Sequence, residues 1–182
     1  MVAVLNMKTS LLGIFLFITI SGFTQTIDSN KTAPTTFKLS YKEIKLSQWQ
    51  ETISRYKGNI LVVDMWATWC SSCLKRFPHM VEMNKKYADK NVKFISLLLE
   101  DPEEPEAIEN AKNFLIKQKA DFDHYFMDEN IMVSFEKLDL LGIPTVFIYS
   151  SESELVNRLT GDNPNKQFTE LDIEKAINSL LK

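Results

Sequence analysis

The sequence predicts an α/β layer structure, a central sheet with helices on both faces, from three observations. Short continuous apolar runs such as "NILVVDMW" and "PTVFIYS" have the pattern of strands covered on both faces. Longer segments between them carry apolar residues at helical spacing. The two kinds alternate from about Tyr41 to the C-terminus, with no internal repeat and no second linker, which is the order of an α/β domain.

The first residues stand apart from that domain. Lys8 precedes "TSLLGIFLFITISGF", an uncharged run shorter than the roughly 20 apolar residues needed to span a bilayer. The small and polar group "SGFTQT" follows, so residues 1–24 read as a secretory signal cut near Thr24 and Gln25, with a retained membrane anchor as the alternative. Either reading implies export. Residues 25–40 are polar, contain Pro34 and read as a linker; residues 41–182 form one domain.

Within the domain, "KLSQWQETISRYKG" predicts a helix opened by Ser47 and closed by Gly58, with Trp49, Ile53 and Tyr56 near one face. "NILVVDMW" is the first strand. In "SSCLKRFPHMVEMNKKYADK", Leu74, Phe77, Val81 and Ala88 recur at helical spacing, and Pro78 in the interior predicts a kink. "VKFISLLL" is the second strand. "EDPEEPEAIENAKNFLIKQK" has Glu103, Glu104 and Glu106 at its start and Lys117 and Lys119 at its end, which complements a helix dipole, while Pro105 suits the first turn. "DHYFM" reads as a short strand, "ENIMVSFEKLD" as a short helix, and "PTVFIYS" and "ELVNRLT" as two further strands. In "FTELDIEKAINSLLK", Thr169 and Asp172 form a capping box, Phe168 and Ile173 a hydrophobic staple, and Ile173, Ala176, Ile177 and Leu180 an apolar stripe.

Composition narrows the function. A formal net charge of −3 and a pI near 5.5 provide no broad attraction for phosphate backbones, so nucleic acid is excluded as a partner. The only cysteines, Cys70 and Cys73, follow the first strand and open the next helix. Unpaired amides and the helix dipole at that point favour a thiolate at the first thiol. A disulfide between them would close too small a ring to be an effective staple. Structural zinc lacks its second pair of ligands, because His79 and His124 are the only histidines and His79 reads as a surface residue. Carriage of a soft metal such as copper remains an alternative.

"LVVDMWATWCSSCLKRFP" followed downstream by "LGIPTVFIY" resembles the thioredoxin superfamily, over nearly the whole domain. The "WATWC" stretch, the helix before "DHYFM" and the N-terminal signal resemble its extracytoplasmic branch of TlpA-like and ResA-like thiol-disulfide oxidoreductases. The resemblance implies a thioredoxin fold with a mixed sheet and an extra helix and strand, and a catalytic set of Cys70, Cys73, Asp64 and Pro144. Cys70 would be the exposed nucleophile and Cys73 the resolving thiol. Asp64, on an otherwise apolar strand, would be a buried proton acceptor with a raised pKa. Pro144 would be cis, and Ile143 before it would pair with an extended client chain beside Trp69, Ser71 and Ser72. Trp66 reads as core. Two departures stand out: Ser71-Ser72 lacks the proline of many such motifs, and Arg76 occupies a position where the branch often has Glu, leaving Asp64 as the sole acid.

The same resemblance implies a monomer with no cofactor and no large ligand. Its partners would be thiols and disulfides of exported proteins, apocytochromes among them, and a membrane thiol donor supplying electrons in the periplasm. Reduction is the implied direction. A peroxide reductase of the same superfamily and a non-catalytic binding or metal-delivery module are the alternatives; the P-x-x-x-T/S-x-x-C context of the first is absent.

Overall fold

The computed structural model describes residues 37–161 and 167–181. The expected signal (1–24) and all but the last few residues of the expected linker lie outside them. Six strands form one mixed sheet: β1 (Tyr41–Ile44), β2 (Ile60–Trp66), β3 (Val92–Leu98), β4 (Asp123–Met127), β5 (Thr145–Tyr149) and β6 (Leu155–Thr160), in the order β1-β4-β3-β2-β5-β6. The pairs β1/β4, β4/β3 and β3/β2 are parallel, whereas β5 runs antiparallel to both β2 and β6. The helices are α1 (Trp49–Ser54), α2 (Ser71–Lys86), α3 (Pro105–Gln118), α4 (Ile131–Lys137) and α5 (Glu170–Leu180).

Strand β2 is buried along its whole length, as a continuous apolar run requires when helices cover both faces. Its odd residues Leu61, Val63 and Met65 join Ile95, Leu97, Tyr125 and Met127 against Trp49 and Ile53 of α1 and Leu138 after α4. On the other face two separate apolar clusters form. One gathers Ile60, Val62 and Phe94 under Met80 and Met83 of α2 and Ile173 and Ile177 of α5. The other gathers Trp66, Leu98 and Phe126 under Phe77 of α2 and Ala111 and Leu115 of α3.

Several local expectations meet a different outcome. Ser47 does not open a long helix: a 3-10 turn, Leu46–Gln48, precedes a six-residue α1, and the Gln48 side chain accepts from the Lys45 amide at 2.8 Å. Strand β1 was not expected, because "YKEI" buries only Ile44 and gains its place by pairing with β4. Other expectations are met: α2 carries Pro78 in its interior. Pro105 opens α3, and the Thr169/Asp172 capping box opens α5.

Candidate redox site

The end of β2 delivers the chain to the start of α2, and the two cysteines occupy that junction. Cys70 is the N-cap of α2, with extended backbone, and its Sγ accepts from the Cys73 amide at 3.2 Å. The two sulfurs form a disulfide across Cα atoms 5.2 Å apart. This spacing follows from geometry, since residues three apart on a helix are neighbours. When the bond is open, the same amide and the helix dipole are placed to stabilise a Cys70 thiolate.

Cys70 is 6% exposed and Cys73 is fully buried, so Cys70 is nearly covered rather than open to solvent. In the disulfide its sulfur turns toward the Cys73 amide and packs in the cluster with Trp66 and Phe77. Trp69 is 58% exposed beside it, Ser71 and Ser72 face solvent, and Ser72 Oγ lies 3.5 Å from Cys70 Sγ. Trp66 is core, against Phe77 and Phe114 at 5.1 and 5.4 Å between ring centroids. The Ile143–Pro144 bond is cis, and Ile143 packs against the cluster that holds both cysteines.

Asp64 is fully buried on β2, and Arg76, 7% exposed, reaches it from the second turn of α2. An Arg76 Nη2 donates to Asp64 Oδ1, and the guanidinium lies 4.7 Å from the centroid of the Phe168 ring. Burial pushes the Asp64 carboxyl up and Arg76 pulls it back, with a balance at about 6. Arg76 is therefore the charge partner of Asp64. Asp64 Oδ2 and Arg76 Nε and Nη1 have no hydrogen-bond partner among the described residues.

Asp64 begins a row across the sheet, in register with Ser96 of β3, itself in register with His124 of β4. This polar row separates the two apolar clusters on that face. His124 Nε2 lies 3.0 Å from the Ala120 carbonyl, which can only accept, so Nε2 carries the proton. Its Nδ1 accepts from the Ser96 hydroxyl at 2.7 Å. Burial pushes the imidazole down to about 4 and keeps it neutral. A second buried carboxylate, Glu100, accepts from the Thr68 hydroxyl at 2.6 Å and from the Thr68 amide, tying down the loop before Cys70.

Sequence reasoning missed the Arg76, Glu100 and His124 partnerships. One signal was available: every β2/β3 pair is 32 residues apart, and Thr68 and Glu100 continue that offset beyond the strands. Among the described residues no three His, Cys, Asp or Glu side chains converge to hold a metal, and no helix is long and apolar enough to cross a membrane. A cavity of about 460 Å³ opens at the other end of the sheet, lined by Ser40, Tyr56, Lys93 and Asp123 among others, and touches none of these residues.

The model of the AhpC/TSA family matches residues 30–158, more than half of the chain. The thiol-disulfide oxidoreductase ResA of Bacillus thuringiensis is 26% identical over 115 residues, 63% of this chain and 62% of that protein. ResA of Bacillus cereus is 30% identical over 118 residues, 61% of this chain and 60% of its own length. The match thus spans under two thirds of these curated relatives. Among solved structures, a thiol:disulfide interchange protein of the thioredoxin family from Chlorobium tepidum superposes with a TM-score of 0.55 at 20% identity, covering 71% of this chain and 84% of that one. The likeness is one of fold, and the fold is that of thioredoxin.

Proposed function

The chain belongs to the AhpC/TSA family, and on that premise we propose that it is a thiol-disulfide oxidoreductase working through Cys70 and Cys73. The observation that carries this is the disulfide at the start of α2, with Cys70 Sγ on the Cys73 amide and the Ile143–Pro144 segment against the same cluster. Cys70 thiolate attacks a client disulfide and forms a mixed disulfide. Cys73 then displaces the client and restores the Cys70–Cys73 bond. Trp69, Ser71, Ser72 and Ile143 contact the client, and the Pro144 segment pairs with its extended backbone. Asp64 takes the proton of Cys73.

The direction is reduction. The clients are exported proteins, apocytochromes among them, and electrons come from a membrane thiol donor on the extracytoplasmic side, where the apolar start of the chain sends it. The ResA relatives bear the name thiol-disulfide oxidoreductase, which supports the exchange chemistry itself. The protein acts as a monomer without cofactor. Residues 41–182 are the working domain.

The test is reduction of a disulfide-bonded protein by dithiothreitol with and without catalytic amounts of the domain. Wild type accelerates it and Cys70→Ser does not. A wild-type protein that neither reduces nor forms protein disulfides in any thiol buffer refutes the proposal.

A further inference from the structure

Arg76 is a buried cation with one bonded donor and two that have no partner among the described residues. Buried guanidinium donors are normally satisfied, so a vacant pair calls for an occupant. Arg76 and Cys73 lie one turn apart on α2, and both are buried. Side chains at this spacing are neighbours, about 5–6 Å between Cβ atoms. In the disulfide Cys73 has no charge to offer. Opened, it has a thiol that must ionise in a dry site.

Resting on the exchange chemistry proposed above, we infer that Arg76 is a positioning residue, the shared counter-ion of two alternating anions: the Asp64 carboxylate while Cys73 is oxidised or protonated, and the Cys73 thiolate once its proton has reached Asp64. In the mixed disulfide, Cys73 S–H gives its proton to Asp64 Oδ2, directly or across one water. The thiolate forms the bond to Cys70 Sγ, the bond from Cys70 to the client sulfur breaks, and that sulfur leaves with the electron pair and takes up a proton from solvent, while Asp64 releases the proton it received and is again the carboxylate beside Arg76. The client disulfide is reduced to two thiols and the dithiol of the protein is oxidised. Negative charge moves from oxygen to sulfur, yet the site stays neutral overall because Arg76 is present on both sides of the transfer.

The other groups on this face leave that role to Arg76. From β2 comes Asp64, from β3 the neutral Ser96 hydroxyl, and from β4 His124, kept neutral by burial. From α2 come Cys73 and Arg76, and from the segment before α5 the Phe168 ring that covers the guanidinium. Glu100 is engaged with Thr68 in the loop before Cys70.

The test is the ionisation of Cys73 in reduced Cys70→Ser protein, followed by thiolate absorbance at 240 nm against pH. In that background Arg76→Met should raise the apparent Cys73 pKa by about one unit or more, a tenfold loss of thiolate at fixed pH below it. Asp64→Asn should lower it, because the guanidinium no longer has a competing anion. Arg76→Lys should recover at least half of the Arg76→Met shift. An unchanged titration in Arg76→Met, or an unchanged or raised one in Asp64→Asn, overturns the inference. If Arg76→Met does not fold, Asp64→Asn decides, since it keeps the cation. Because the readout is a titration, a wild-type protein inactive in exchange would end the functional proposal and leave this result to stand or fall separately.

Discussion

Across the middle of the sheet, the row Met65–Leu97–Tyr125 faces α1 and α4, and the row Asp64–Ser96–His124 faces α2. The two rows lie one residue apart along the same strands, both buried, and are held by different physics. The first needs mainly shape and apolar area, its one polar side-chain group, the Tyr125 hydroxyl, lying 2.8 Å from that of Tyr56. In the second every polar atom needs a partner, because an unpaired buried polar group costs about 1–3 kcal/mol. The row meets that need at one end with a neutral hydroxyl–imidazole pair bonded on both ring nitrogens. At the other end it uses an ion pair with polar atoms to spare. The spare atoms lie on β2 and α2, the two elements that the cysteine segment joins, where the proposed exchange would move charge.

The largest contrast is chemical. Cys70→Ser should lower disulfide exchange by at least about 10⁴-fold, since the nucleophile is lost, while Met65→Ala should leave the rate per folded molecule within a few fold; dithiothreitol-driven reduction of a protein disulfide reads both. Next comes stability. Asp64→Leu should destabilise by about 3–5 kcal/mol by leaving Arg76 buried and unpaired, and adding Arg76→Met should restore most of that loss. Met65→Ala should cost about 2–5 kcal/mol through a cavity that no second charge change repairs. Urea titrations measure both, and a double variant as unstable as Asp64→Leu would show that the two rows do not differ in kind.

A third difference appears with pH. Asp64 has its carboxyl raised from 3.8 to about 6, so the folded state binds this proton first and its contribution to stability grows as pH falls from 6 towards 3.8. His124 is lowered from 6.5 to about 4, so its contribution is present above 6.5 and is lost as pH falls towards 4. The two slopes oppose each other. His124→Gln should therefore gain up to about 3 kcal/mol relative to wild type on going from pH 6.5 to 4; parallel stability profiles would contradict this. The smallest expected effect is at the loop: Thr68→Val should cost about 2 kcal/mol by removing a hydroxyl donor from the Glu100 carboxylate, read by thermal unfolding.

The apolar row was legible in the sequence and the polar one only in part. Continuous runs such as "ILVVDMW" identify buried strands because burial on both faces leaves no alternation. Asp64 stood out within that run as the single charge. Its partner did not, because Arg76 pairs with it only after α2 folds back over β2, twelve residues away in sequence. His124 and Ser96 likewise meet only through sheet register. Strand β1 is hard to read from sequence because only Ile44 of its four residues is buried and the strand depends on the edge of β4.

The central claim is that Cys70 attacks and Cys73 resolves. Cys73→Ser protein, mixed with a disulfide-bonded protein and examined by mass spectrometry without reductant, tests it most directly. A stable one-to-one adduct through Cys70, dissolved by dithiothreitol and missing when Cys70 is also changed to Ser, is the predicted result. A Cys73→Ser protein that keeps a free Cys70 thiol and forms no adduct would contradict it.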